Sequence, residues 1–351
     1  MLTFDHQNIQ ESIRLIKESN CIAILTHVRP DGDALGSSTG FYRFLESIGK
    51  DARILIANKY SDNLAFIIPE DIKDKILIYE DDKEEIEAFL EKCDLIVGVD
   101  FNTFARLDDM SATARACKAK KILIDHHLAP GYDEFDIIFS KTDISSASEL
   151  EYWYLKEIIS ENAFGADYKL PDTLLYSLMI GMTTDTNNFA NSVYPSTLNM
   201  ASELLAAGVD RDKILYELYN RQSENRLRLM GHLMKDVMEI TEDGIAIITF
   251  SKEDRQEYQT KDGETEGFVN MPLSIEKVKM SIFAREDGEN VRISLRSKKG
   301  ISANKCSREW FNGGGHEQAA GGRLTIGKEV ATFAAVADYI KEKTHKFMTQ
   351  E

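Results

Sequence analysis

Four short segments concentrate the side chains of this sequence that can do metal chemistry. They are Thr26-His27-Val28-Arg29-Pro30-Asp31-Gly32-Asp33, the lone Asp100, Asp125-His126-His127, and Gly181-Met182-Thr183-Thr184-Asp185-Thr186. Crowded together, Asp31, Asp33, Asp100 and Asp185 would repel one another and hold some of their protons. Divalent cations remove that repulsion. Mixed carboxylate and imidazole donors suit Mn²⁺ better than Ca²⁺, and one shared carboxylate sets two ions roughly 3.5–4 Å apart, as two-metal hydrolysis requires. A single Asp in such a place is ordinarily a helix N-cap. Four such segments in one half of the chain point instead to a dinuclear site.

Each cluster follows an apolar segment. Ile22 to Leu25, Arg53 to Ile56, Leu95 to Val99, Ile122 to Ile124 and Ile137 to Phe139 are short runs rich in Ile, Val and Leu, the pattern of strands buried on both faces. Between the first two, Phe41, Phe44, Leu45 and Ile48 recur with helical spacing, and Gly49 ends the helix. Pro171 to Met182 and Ser196 to Ala207 read as further helices. Strand, helix, strand in succession predicts an α/β fold with a parallel sheet and flanking helices. In such a sheet ligands bind beyond the C-terminal ends of the strands.

The pattern changes after Tyr219. We expect a domain over 1–218, a helical linker over 219–235 and a smaller α/β domain over 236–351. The second domain carries alternating strands at Ile245 to Phe250, Lys279 to Ala284 and Val291 to Leu295. Alternation places Arg292, Ser294 and Arg296 on one strand face, a cationic surface suited to phosphate. Gly313-Gly314-Gly315 is expected to open a short helix whose backbone N–H groups approach an anion, with His316 directly after it. Val330 to Lys343 reads as a closing helix.

The ordered motifs resemble the DHH phosphoesterase superfamily, named for the tripeptide standing here as Asp125-His126-His127. The segment beginning Thr26-His27 is similar to the family's first motif, Val99-Asp100 to its second and Gly181 to Thr186 to its fourth. Gly313 to Gly321 resembles the glycine-rich motif of the DHHA1 domain. The two-domain length is similar to the short branch of nano-RNase/pAp-phosphatases and pApA or cyclic-di-AMP phosphodiesterases. The resemblance implies that His27, Asp31 and Asp100 hold one Mn²⁺ (or Mg²⁺) and that Asp33, Asp100, His126 and Asp185 hold the other. Asp125 would orient an imidazole, and His127 would contact the scissile phosphate. Ser146, Arg292, Arg296, Ser297, Gly313, Gly314, Gly315 and His316 would meet the rest of the substrate. Two family glycines are replaced, by Asn187 and Asn312; Asn tolerates a left-handed backbone.

The expected activity is two-metal hydrolysis of short nucleotides: RNA of two to five residues, pApA or pAp. The alternatives are a pyrophosphatase or exopolyphosphatase, or a nucleotide-binding protein without activity. With 42 basic and 59 acidic residues the net charge is −17, which disfavours long duplexes and anionic membranes. The stretch Arg285 to Thr325, however, has eight basic and five acidic residues, leaving room for a short anionic ligand. The N-terminus lacks a basic, apolar leader and no apolar run reaches membrane-spanning length, so a cytoplasmic protein is expected. The resemblance also implies a homodimer.

Overall fold

The five apolar runs are strands, and a sixth short strand joins them: β1 (Cys21–Leu25), β2 (Asp51–Ile56), β3 (Ile76–Ile78), β4 (Leu95–Val99), β5 (Lys120–Asp125) and β6 (Ile137–Ser140). They pair in the order β3-β2-β1-β4-β5-β6, each pair parallel. With three residues, β3 is too short for a periodic signal. The structure is a computed structural model that describes residues 3–261, 263–315 and 317–350. The chain divides into two units, Met1–Arg221 and Gln222–Glu351.

Helices cover both faces of the first sheet, which is why its strands read as unbroken apolar runs. They are α1 (His6–Glu18), α2 (Gly32–Ser47), α3 (Tyr79–Lys92), α4 (Ser111–Ala116), α5 (Ala147–Ser160), α6 (Asp172–Asp185), α7 (Pro195–Ala206) and α8 (Arg211–Leu215). Successive β1 residues take opposite sides. Ile22 and Ile24 pack with Phe41, Phe44 and Tyr154, whereas Ala23 and Leu25 pack with Ile86, Leu90 and Phe104. Helices α2 and α6 meet at glycines. A Cβ on Gly36 would lie 2.7 Å from the Ser177 carbonyl, and one on Gly181 would lie 2.7 Å from Asp33 Oδ1. Only hydrogen side chains permit that approach.

The second unit contains α9 (Glu224–His232), β7 (Glu239–Ile240), β8 (Ile245–Phe250), α10 (Lys252–Glu257), β9 (Met280–Asp287), β10 (Asn290–Ser297), α11 (Ala303–Trp310), β11 (Gly314–Gly315), β12 (Ala319–Thr325) and α12 (Val336–Met348). Its sheet order is β11-β12-β10-β9-β8-β7, with only β8 and β9 parallel. The segment expected to be a linker contributes to this unit: Leu229 of α9 and the following Leu233 are buried against Ile248, Phe250, Phe268 and Phe283. The closing helix starts at Val336 rather than Val330.

One local expectation is overturned. The glycine segment does not open a helix; Gly314 and Gly315 form β11 and pair with Gly321 and Ala320 of β12. The cause is close backbone approach, since a Cβ on Gly313 would lie 1.9 Å from the Gly321 carbonyl oxygen. Both asparagines that stand where the resemblance implies glycine adopt left-handed backbone, Asn187 at φ 46° and Asn312 at φ 48°.

Candidate metal centre

Strands β1, β4 and β5 are consecutive neighbours, so their C-terminal ends lie side by side. Between β1 and β4 the chain order reverses, the place where parallel sheets open a crevice. His27 follows β1, Asp100 follows β4, and Asp125 ends β5 just before His126 and His127. Asp100 thus stands on the middle strand of the three. Asp185 arrives from another direction as the last residue of α6, drawn in by the glycine contacts with α2.

The side chains converge. His27 Nε2 lies 3.4 Å from Asp100 Oδ2 and 3.8 Å from Asp31 Oδ1. His126 Nε2 lies 3.4 Å from the other Asp100 oxygen, Oδ1, and 3.6 Å from Asp185 Oδ2. Three groups have donor atoms close enough together to share an ion: His27 with Asp31 and Asp100, Asp33 with His126 and Asp185, and Asp100 with His126 and His127. Asp100 sits at φ 62°, a strained conformation that Asp tolerates better than most residues.

Several of these residues also have structural duties. Asp31 Oδ1 caps α2 by accepting from the backbone N–H groups of Asp33 and Ala34. Asp33 accepts from the N–H groups of Ala147 and Ser148, tying α2 to the N-terminus of α5. His27 Nδ1 donates to the Val28 carbonyl at 2.9 Å. A carbonyl can only accept, so the Nε2 side is turned to the carboxylates, the arrangement that metal-ligating imidazoles require.

Burial opposes charging the two imidazoles, yet Asp100 beside them raises His27 to about 9 and His126 to about 10. Burial also opposes ionising Asp100, but His126 and His27 hold its carboxyl well below the usual range. Burial, with the neighbouring Asp100 charge, pushes Asp185 up to about 7 and Asp33 well above its ordinary value. Among the described residues, no Lys or Arg pairs with Asp31, Asp33, Asp100 or Asp185. Asp100 Oδ1 is buried without a hydrogen-bond partner among the described residues. An oxygen-and-nitrogen donor set this acidic, with an orphaned buried carboxylate oxygen at its centre, fits divalent cations.

Asp125 is fully buried and orients His127. Its Oδ1 lies 2.8 Å from His127 Nδ1, and its Oδ2 accepts the His127 backbone N–H. Ser146 is buried as the N-cap of α5, accepting from Glu149 N–H. In the second unit Arg292 pairs with Asp287 at the β9–β10 hairpin, while Ser297 donates to the Ile301 carbonyl. Arg296 donates to the Leu295 carbonyl, and burial pushes its guanidinium down. Gly313 precedes β11, Gly314 and Gly315 form it, and His316 lies outside the described residues. The sequence reading placed Glu149 only in a helix opening, in the stretch Ser145 to Glu149 that resembles a family segment. Buried, it accepts from Ser145 N–H and Oγ and from Thr197 Oγ1, joining α5 to α7. Its position one residue after Ser148 in a polar helix start carried no distinguishing signal.

The DHH family, N-terminal domain model matches residues 21–182, and the DHHA1 domain model matches residues 242–342. The bifunctional oligoribonuclease and PAP phosphatase NrnA of Thermus thermophilus is 30% identical, over 90% of this chain and 89% of its own. Its Bacillus subtilis counterpart is 28% identical, over 90% and 92%. The crystal structure of an exopolyphosphatase-related protein from Bacteroides fragilis superposes with a TM-score of 0.90 at 34% identity, covering 99% of both chains. The chain belongs to the DHH family, with a DHHA1 domain following the DHH domain. It is a phosphoesterase, an enzyme of the hydrolase class. Among the described residues no helix is long and apolar enough to cross a membrane.

Proposed function

We propose that the protein is a two-metal phosphoesterase, Mn²⁺-dependent, that hydrolyses short nucleotides: RNA of two to five residues, pApA or pAp. One observation carries the reading. The two oxygens of Asp100 face different imidazoles, His27 and His126, each 3.4 Å away and each with its own further carboxylates. That is the layout of two half-sites sharing one bridging group. His27, Asp31 and Asp100 form one set, and Asp33, Asp100, His126 and Asp185 form the other. Cations held there supply Lewis-acid stabilisation of phosphoryl charge and an activated water as nucleophile.

The protein's own groups do the rest. Asp125 holds the His127 ring in one orientation through Nδ1, so that the imidazole meets a phosphoryl oxygen without reorganising. Arg296 is a half-buried cation with no carboxylate partner among the described residues. An anionic part of the substrate satisfies it. Gly314 and Gly315 belong to the same sheet as Arg296, one strand beyond its neighbour β12. The pairing of Arg292 with Asp287 makes Arg292 the weaker candidate. The NrnA relatives are named as acting on oligoribonucleotides and PAP, which supports nucleotides as substrates. The assembly and compartment we propose, a homodimer in the cytoplasm, rest on the family resemblance.

A second reading is exopolyphosphatase or pyrophosphatase activity, favoured by the description of the Bacteroides fragilis neighbour as exopolyphosphatase-related. One assay separates them. Purified protein with Mn²⁺, or with Mg²⁺, is incubated with pApA, five-nucleotide RNA, pAp, cyclic-di-AMP, pyrophosphate and polyphosphate. We expect release of mononucleotides or of phosphate from pAp. Turnover of polyphosphate or pyrophosphate alone overturns the nucleotide reading, and tight nucleotide binding with no turnover overturns the enzyme.

A further inference from the structure

Immediately after His127 the chain makes a short loop that the metal chemistry does not use. It carries Leu128, 72% exposed, and Tyr132, 77% exposed, more open to solvent than any other exposed large apolar side chain described. Apolar surface left in water next to a site is a recognition feature more often than an accident. The loop is not loose. Asn102, two residues beyond Asp100, donates through Nδ2 to the Leu128 carbonyl at 2.7 Å and accepts the Gly131 N–H at 2.8 Å on its backbone oxygen. Ala129 is held at φ 55° between them, a conformation non-glycine residues adopt only when their surroundings enforce it. Glu134 closes the turn by donating its N–H to the Gly131 carbonyl, while its carboxylate accepts from Phe104 N–H and Arg115. Beneath it Phe135 stacks on Phe104 at 4.9 Å. The two exposed side chains are therefore presented on backbone anchored at Asp100's own loop and on a buried aromatic base.

We propose that Leu128 and Tyr132 form the nucleobase contact of the first unit, with Tyr132 stacking on a base of the substrate and Leu128 packing against its edge or sugar. A ring on a pinned loop loses little freedom when it stacks. Stacking is tolerant of base identity because every base offers a π face. That suits an enzyme acting on short RNA of any sequence, and gives a polyphosphate chain nothing to hold. The inference rests on the nucleotide reading above.

The test uses the full-length, metal-loaded protein and three substrates: pApA, pUpU and a dinucleotide with base-free sugars. Tyr132→Ala should lower kcat/KM on pApA about tenfold, through KM, with a smaller loss on pUpU and none on the base-free analogue. Tyr132→Phe should restore most of the loss, and Leu128→Ala should give a smaller effect of the same pattern. Equal losses on all three substrates, or no loss on any, would overturn the proposal. So would a changed oligomeric state of the variants in sedimentation velocity, which would make the loop a subunit contact. Wild-type protein inert to every nucleotide but active on pyrophosphate would instead overturn the proposed function, a separate and distinguishable result.

Discussion

The two units carry opposite local imbalances of charge. The first concentrates acids at the ends of adjacent parallel strands, where no lysine or arginine among the described residues neutralises them. The second leaves a cation, Arg296, without a carboxylate partner among the described residues, on a strand antiparallel to both its neighbours. One is a cluster short of positive charge, the other a side chain short of negative charge. Each is costly until its counter-charge arrives. The comparison teaches that an overall charge of −17 says little about phosphate handling, because the shortage that matters is local.

The sharpest way to break the comparison is at Asp100. Asp100→Asn keeps the left-handed backbone, since Asn also tolerates it, but removes the shared charge. We expect hydrolysis to fall at least about 10³-fold, with metal binding weakened in both half-sites by calorimetry. Full activity, or loss at one half-site alone, would refute the bridge. Next comes Asp125→Asn, which keeps the shape while weakening the grip on His127. A fall of roughly 10- to 100-fold in kcat, with metal affinity nearly intact, is expected. If metal affinity fell instead, the role of Asp125 would lie with the ions. Arg296→Ala should raise KM about tenfold while changing kcat little. Addition of guanidinium that failed to recover any activity would leave the effect consistent with simple misfolding, so Arg296→Lys, retaining part of the affinity, is the paired control.

The smallest effect tests the electrostatics of the metal-free first unit. The His27 and His126 protons are held to about 9 and 10 by Asp100. Their contribution to stability is complete below about 6.5, the ordinary value, and is lost as the pH rises through 9 to 10. Asp185, raised to about 7 by burial and its neighbours, acts in the same sense, since ionising it in the fold is disfavoured. Metal-free protein should therefore lose on the order of 2–4 kcal/mol between pH 6 and pH 10 in urea melts. Metal-loaded protein should lose much less. A flat profile without metal would show that the imidazoles are not paired with Asp100.

Much of the candidate site was legible before any tertiary information. His27, Asp31, Asp33, Asp100, His126 and Asp185 each follow or end an apolar segment, and a residue beyond a buried strand has few places to go. The roles that depend on hydrogen bonds were less legible. Asp33 anchors α5 through Ala147 and Ser148, 114 and 115 positions along the chain, and no local pattern announces such a contact. The Gly313–Gly315 segment looked like a helix entry because glycine signals both tight turns and close strand approach. The decision belonged to the Gly321 carbonyl facing it, a partner supplied by β12.

By itself the sequence offered the candidate donor set, its order along the chain and the alternation that keeps Arg292, Ser294 and Arg296 off the core of the second sheet. It also pointed to a parallel sheet, because a helical pattern stands between its first two strand-like runs. Tertiary structure alone decided that β4 lies between β1 and β5, and so that Asp100 rather than another acid stands between two imidazoles. It also decided that α6 comes close enough, through Gly36 and Gly181, to deliver Asp185. The physical reason is that local propensity and burial pattern act over a few residues, whereas strand order and helix approach are set by packing between residues far apart in the chain.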